Sequence, residues 1–304
     1  MDLDRLSEVI LAGPAQMTTQ ALHECLRRGI PVHYVTGHGR YLGVLTGMNH
    51  FHGLLREAQW RMHFDAEKSL EIARVVVRSK LANMRTLMMR YRRDERTEDD
   101  ERDFRALRDL RKSAENAPAP DALRGLEGAG ARAYFQRFEM FVKSERRAEF
   151  PFGGRNRRPP RDRVNALLSF GYSLLARDCV SAALRVGFDP FCGFYHSMKY
   201  GRPALALDMM ESFRQPVVDS VVLTGINNGV FRSGDFLEYQ GVCYLNERGR
   251  KKFLAQYELR KRDSVTHPRF NYRMSYSRTI ELQYRLLGKV LLGEMTGFEG
   301  FFIR

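Results

Sequence analysis

The chain has 304 residues, 43% hydrophobic and 28% charged, with 50 Lys and Arg against 36 Asp and Glu and a formal net charge of +14. That length and make-up sustain a packed core in one large domain or two and exclude wholesale disorder. The cationic excess points to a polyanionic partner, nucleic acid first and an acidic membrane surface second. No stretch approaches the roughly 18–20 uncharged apolar residues of a spanning helix, and the two aspartates within Met1–Arg5 do not make a secretory n-region.

In chain order, Ser7–Leu11, Ile30–Thr36 and Tyr41–Thr46 read as short strands closely followed by glycine, around one helix over Thr18–Arg28. Thr18 or Thr19 caps that helix and Gly29 stops it. The Gly37-x-Gly39 pair lacks a third glycine and a following helix, so it reads as a plain turn. From His52 the apolar spacing becomes helical, through Leu54, Leu55, Ala58 and Met62, then Ile72, Val75, Val76, Leu81 and Met84. The change marks a boundary between a small β-rich domain, residues 1–50, and a larger helical one, residues 51–304.

Residues 94–116 are dense in both charges and read as a solvated helix or a mobile connection rather than core. Pro118 and Pro120 reset the chain before a helix over Ala122–Val142. Between residues 143 and 163 arginines crowd around Gly153, Gly154, Pro159 and Pro160: Arg146, Arg147, Arg155, Arg157, Arg158, Arg161 and Arg163. This is either a basic surface loop or a loop that grips DNA phosphates, and the forked guanidinium favours the second. Val164–Val186 is apolar almost all round, the mark of a buried central helix. A loop over Gly187–Tyr195 leads to helices at Pro203–Arg214 and Pro216–Asn228, a strand pair within Glu238–Leu245, and closing helices at Arg248–Lys261 and Ser277–Leu292.

Cys25, Cys179, Cys192 and Cys243 form no C-x-x-C pair, so cluster or structural zinc spacing is absent and reduced thiols in a cytoplasmic protein are expected. Three constellations carry candidate chemistry. Asp208 and Glu211 share a helix face within an apolar run, with His196 upstream; they suit a metal site, or an ion pair of Glu211 with Arg214. Glu127 precedes the small residues 128–131 and 133, which let a helix approach a neighbour closely, although a glutamate early in a helix also complements its dipole. His50, His52 and His63 lack a partner carboxylate of suitable spacing and read as surface or junction histidines. Tyr134, Tyr172 and Tyr195 are conceivable nucleophiles but sit at core-like spacing.

Four stretches in order carry a resemblance: Leu126–Phe135 (LEGAGARAYF), Arg161–Leu175 (RDRVNALLSFGYSLL), Gly187–His196 (GFDPFCGFYH) and Gly201–Arg214 (GRPALALDMMESFR). Together they resemble the CRISPR-associated integrase family of spacer acquisition. The resemblance implies an α+β chain: a small N-terminal β-sandwich, here without its first strands, followed by a larger all-α catalytic domain. It implies one Mn²⁺ or Mg²⁺ held by Glu127, His196 and Glu211, with Asp208 in support, and transesterification in which a spacer 3′-OH attacks a phosphodiester at the repeat boundary. The implied partners are double-stranded spacer and repeat DNA, a second copy of the chain, and a small ferredoxin-like adaptation protein bridging two dimers. The iron–sulfur exonuclease of the same module, to which some members are fused, is a further one. No membrane partner is implied. A non-catalytic DNA-binding scaffold and a general metal-dependent nuclease are the competing readings.

Overall fold

The computed structural model describes residues 6, 8–36, 41–48, 52–156 and 159–303. Its first strand, β1 (Val9–Ala12), runs into α1 (Thr19–Arg27), whose start is set by the Thr18 hydroxyl accepting the Ala21 amide at 3.3 Å. Next come β2 (Val32–Val35), paired in parallel with β1, and β3 (Tyr41–Leu45), antiparallel to β2. Cys25 and Leu22 of α1 pack with Val9, Leu11 and Val32 on one sheet face. The chain is α+β as expected, but its β part is one three-stranded sheet; no second sheet layer stands here among the described residues. α1 covers one face, and the other, through Ile10, Val35 and Tyr41, lines a cleft shared with the helical body.

The helical body opens with α2 (Gly53–Phe64), capped by His52, and α3 (Ala66–Tyr91). The highly charged stretch is no mobile connection: α4 (Glu98–Glu115) begins on a Thr97–Asp100 capping box and packs against α3. Its charges lie outward while Phe104, Leu107 and Ala114 form a buried inner stripe. α5 (Pro120–Arg137) completes this three-helix layer, and Gly130 allows its close approach, since a Cβ there would collide with Leu81 of α3.

After the short α6 (Ser144–Arg147), α7 (Arg163–Val186) runs through the centre. Among the described residues it alone is long and apolar enough to cross a membrane by length and composition. Here it is a core helix with Arg177 and Asp178 buried along it. α8 (Ala204–Met210) tightens into a 3-10 turn at Glu211–Phe213, loosens into a π turn at Arg214–Asp219 and resumes as α9 (Ser220–Asn227). Pro216 explains the irregularity: it has no N–H for the Ser212 carbonyl four residues back, and its ring crowds that carbonyl. Asn83 of α3 takes the freed oxygen instead, at 2.7 Å.

The hairpin β4 (Phe236–Tyr239) and β5 (Val242–Leu245) turns on Gln240 and Gly241, both with positive φ. α10 (Glu247–Arg262) follows, then β6 (Ser264–Thr266) paired with β7 (Arg273–Ser275), then α11 (Tyr276–Leu291). The second hairpin has no counterpart in the strand expectations; its three-residue strands are too short for an alternating pattern to register.

Candidate active site

Three elements meet at one point. α5 brings Glu127, eight residues into the helix and so clear of the dipole-complementing first turn. The loop after α7 brings His196, and the 3-10 turn after α8 brings Glu211. His196 Nε2 stands 3.9 Å from Glu211 Oε1, and the Tyr195 hydroxyl donates to Glu127 Oε2 at 3.2 Å. Lys80 of α3 joins the two glutamates: its ammonium pairs with Glu127 Oε1 and lies 2.6 Å from Glu211 Oε2.

Asp208 is the fastening of the His196 loop. Its Oδ2 accepts the amides of Phe194 and Tyr195 at 2.6 and 3.0 Å; its Oδ1 accepts the His196 amide at 2.8 Å and faces His196 Nδ1 at 2.7 Å. The approach requires glycine at 193, where a Cβ would lie 2.7 Å from both Asp208 Oδ2 and the Ala204 backbone. With Nδ1 engaged, the ring presents Nε2 towards Glu211, the arrangement in which a carboxylate orients a ligating imidazole. α2 secures the same loop from outside: Gln59 bonds the carbonyls of Asp189 and Cys192 at 2.8 and 2.7 Å, and His63 Nδ1 meets the Gly193 carbonyl at 2.6 Å.

Glu211 is buried, which by itself pushes its carboxyl up. The charges of Arg214 and Lys80, with His196 beside them, overcome that and hold it well below the usual carboxylate range. The Arg214 pair anticipated from spacing is present, Nε to Oε2 at 2.8 Å. Ion pair and convergent carboxylate site therefore coexist at Glu211. The donor set of two carboxylates and an imidazole suits a hard divalent ion with positions left for water and phosphate oxygen. Among the described residues no three His, Cys, Asp or Glu side chains stand at metal-ligand spacing, and the Lys80 ammonium pairs with both Glu127 and Glu211.

The other sequence candidates divide. Arg146 donates to the carbonyls of Ile226 and Phe231, Arg147 to that of Val142, and Arg163 to Glu238 and the Glu149 carbonyl. Arg155 bonds Asn165 and Ser169. These four guanidiniums fasten the loop to the body and do not stand out as free phosphate ligands. Arg161 is exposed, and Arg157 and Arg158 lie outside the described residues. His52 accepts the Leu55 amide as a helix cap, His63 serves the loop as above, and His50 lies outside the described residues. Tyr134 and Tyr172 are turned towards Asp219; burial, then that carboxylate, pushes both phenols well above their usual range, which makes them poor nucleophiles.

Sequence reasoning missed Lys80, whose only signal was a lysine on the inner face of α3, between Val77 and Leu81. It also missed a groove of about 770 Å³ along α5, passing Gly128 and Ala131 and lined by Arg132, Phe135 and Arg155.

The family model described as CRISPR associated protein Cas1 matches residues 1–259. The chain belongs to the Cas1 family. Over 99% of its length it is 45% identical to a CRISPR-associated exonuclease Cas4/endonuclease Cas1 fusion of Geobacter sulfurreducens, covering 55% of that protein. The chain thus spans about half the length of the fusion relative. Its fold matches the structure of a Cas1 protein from Thermotoga maritima at TM-score 0.83 and 27% identity, covering 99% of this chain and 90% of that one. A partial Cas6-RT-Cas1–Cas2 complex is similar at TM-score 0.75 and 28% identity, over 98% of this chain and 88% of that one.

Proposed function

We propose that the chain is the integrase of a CRISPR adaptation module, joining the 3′-OH of incoming spacer DNA to a phosphodiester at the repeat boundary by transesterification. One observation carries the reading. Glu127 and Glu211, from separate elements, converge on a single cationic point opposite His196. In this reading Glu127, His196 and Glu211 hold one Mn²⁺ or Mg²⁺ and Asp208 orients His196. When bound, such an ion polarises the scissile phosphodiester and neutralises charge developing on it. Lys80, paired with both glutamates, would have to leave that position for an ion to be held there, and its ammonium could then meet a phosphate oxygen. Residues 1–50 serve as the accessory unit and 51–304 as the catalytic one.

The partners follow from the same reading. Double-stranded spacer and repeat DNA is the polyanion that the net charge of +14 would meet; a second copy and a small ferredoxin-like adaptation protein complete the complex. The fusion relative, which joins an exonuclease named Cas4 to Cas1, supports the iron–sulfur exonuclease as a further partner. The cytoplasm is the expected setting, and the four cysteines are free and buried.

A second reading has its own observation. The pairs Lys80–Glu127, Lys80–Glu211 and Arg214–Glu211 are what a non-catalytic DNA-binding scaffold would use for stability. Labelled short duplexes incubated with a repeat-bearing supercoiled plasmid and Mn²⁺ separate the two. Joined strands that need a free 3′-OH, and that vanish in Glu211→Ala and His196→Ala, are the expected result. Joining by those variants at the wild-type level would remove the metal assignment, and cut plasmid without joined strands would leave a plain nuclease.

A further inference from the structure

Asp219 ends the π turn that follows Glu211 and is fully buried. Among the described residues its side-chain hydrogen bonds both come from phenols: the Tyr134 hydroxyl donates to Oδ2 at 2.8 Å and the Tyr172 hydroxyl to Oδ1 at 2.6 Å. A buried carboxylate served by two neutral donors, with no cation directly bonded to it among the described residues, is an expensive way to fill a core. Burial pushes its carboxyl up to about 6, against the lowering effect of the two phenols, Arg214 and Arg155. An apolar side chain of similar volume would serve packing better.

What the carboxylate connects is more informative. Tyr134 lies on α5 seven residues after Glu127, two turns along the same face. Tyr172 comes from α7, and its ring carries the Arg214 guanidinium at 4.5 Å from the ring centre, within cation–π range. Arg214 in turn holds Glu211 at 2.8 Å. One carboxylate therefore ties the helix bearing Glu127 to the aromatic platform under the partner of Glu211.

We propose that Asp219 is a positioning residue for strand joining: through Tyr134 and Tyr172 it fixes the separation between the Glu127 helix and the Arg214–Glu211 pair. This rests on the integrase reading above. The phenols set the geometry and touch neither DNA nor the reacting atoms.

The test compares Asp219→Asn, Tyr134→Phe, Tyr172→Phe and the double phenylalanine variant with wild type. Single-turnover joining, DNA affinity, Mn²⁺ affinity by electron paramagnetic resonance and thermal midpoint are measured on each. The expected result is about a 10-fold slower joining step and weaker Mn²⁺ binding in Asp219→Asn, with DNA affinity and thermal midpoint held. The double phenylalanine variant should lose no more than Asp219→Asn, since the three residues act as one unit. Tyr172→Phe keeps the ring under Arg214, so a loss there reports the hydrogen bond and not the packing. Variants joining and binding Mn²⁺ like wild type would overturn the proposal while leaving the integrase reading intact, as would losses that track the thermal midpoint. A wild-type protein that joins no DNA and binds no Mn²⁺ would overturn both.

Discussion

Two clusters of buried charge in this molecule are built in opposite ways. Where the sheet meets the helical body, Glu8 and Asp178 face Arg177 and Lys261, two carboxylates against two cations, and none of the four side chains exceeds 12% exposure. His33 of β2 sits beside them, bonded to Ser181 at 3.2 Å, and burial, helped by Arg177, holds its imidazole down at about 4 and so neutral. In the candidate active site Lys80 pairs with Glu127 and Glu211, Arg214 pairs with Glu211, and the third carboxylate, Asp208, meets His196 Nδ1 at 2.7 Å. There the Glu127 and His196 side chains keep 24% and 19% exposure. A balanced, closed cluster fastens two parts of the fold. The open one sets three carboxylates beside two permanent cations and keeps two of its side chains partly exposed.

The sharpest way to break this comparison is to remove one charge from each cluster. Asp178→Ala leaves Arg177 and Lys261 only the longer contacts to Glu8 and, for Lys261, the partly exposed Glu258, and should lower stability by about 3–5 kcal/mol, read from urea unfolding. Glu127→Gln leaves Lys80 still paired with Glu211, so its stability should move by less than about 1 kcal/mol while Mn²⁺ binding falls. If the two stability losses came out equal, the open cluster would be as structural as the closed one.

Next in size is an acid dependence belonging to the closed cluster. His33 binds its proton near 6.5 when unfolded and only near about 4 when folded. The unfolded state therefore takes up the proton first as pH falls. Stability is fully present above 6.5 and declines between 6.5 and 4, by about 3 kcal/mol for a shift of that size. Asp178, held down at about 2 against its own burial by Lys261 and Arg177, adds a further loss below its ordinary value of 3.8. Urea midpoints from pH 7 to 4 should show a slope that flattens in His33→Gln.

Smaller still is the expected effect of Asp208→Asn. Its carboxylate orients His196 and gathers three loop amides, and the amide keeps the shape but not the charge. Mn²⁺ affinity should fall by about 10–100-fold with DNA affinity unchanged. An unchanged Mn²⁺ affinity would make Asp208 a loop fastener and nothing more.

Most of the fold was legible in the sequence because it rests on local signals: the Thr18 cap, the small-residue run whose Gly130 brings α5 onto α3, the all-round apolarity of α7. The misreadings have physical causes. In α4 the charges outnumber the apolar residues and hide a stripe of only a few side chains, which tertiary packing makes sufficient. For the site, motif order named Glu127, His196, Glu211 and Asp208, whereas Lys80 and Asp219 were invisible. Lys80 lies 47 residues from Glu127, and Asp219 lies 85 residues from Tyr134; only the packing of α3, α5 and α7 brings them in. Arginine density names a loop but does not reveal which of its guanidiniums are engaged on carbonyls, as those of Arg146 and Arg147 are.

That last point yields the smallest and most selective prediction. Arg161 is exposed, while Arg163, two residues on, donates to Glu238 and to the Glu149 carbonyl. If the loop meets DNA, Arg161→Ala should leave thermal stability unchanged, weaken DNA binding equally for all sequences, and reduce the salt slope by about 1. Arg163→Ala should do the reverse, lowering the thermal midpoint with little change in slope, because its donors are engaged within the protein. Filter-binding titrations from low to high salt, run beside melting curves, distinguish them. Equal salt slopes for Arg161→Ala and wild type would move the DNA path away from this loop and towards the groove along α5, where Arg132 becomes the residue to test.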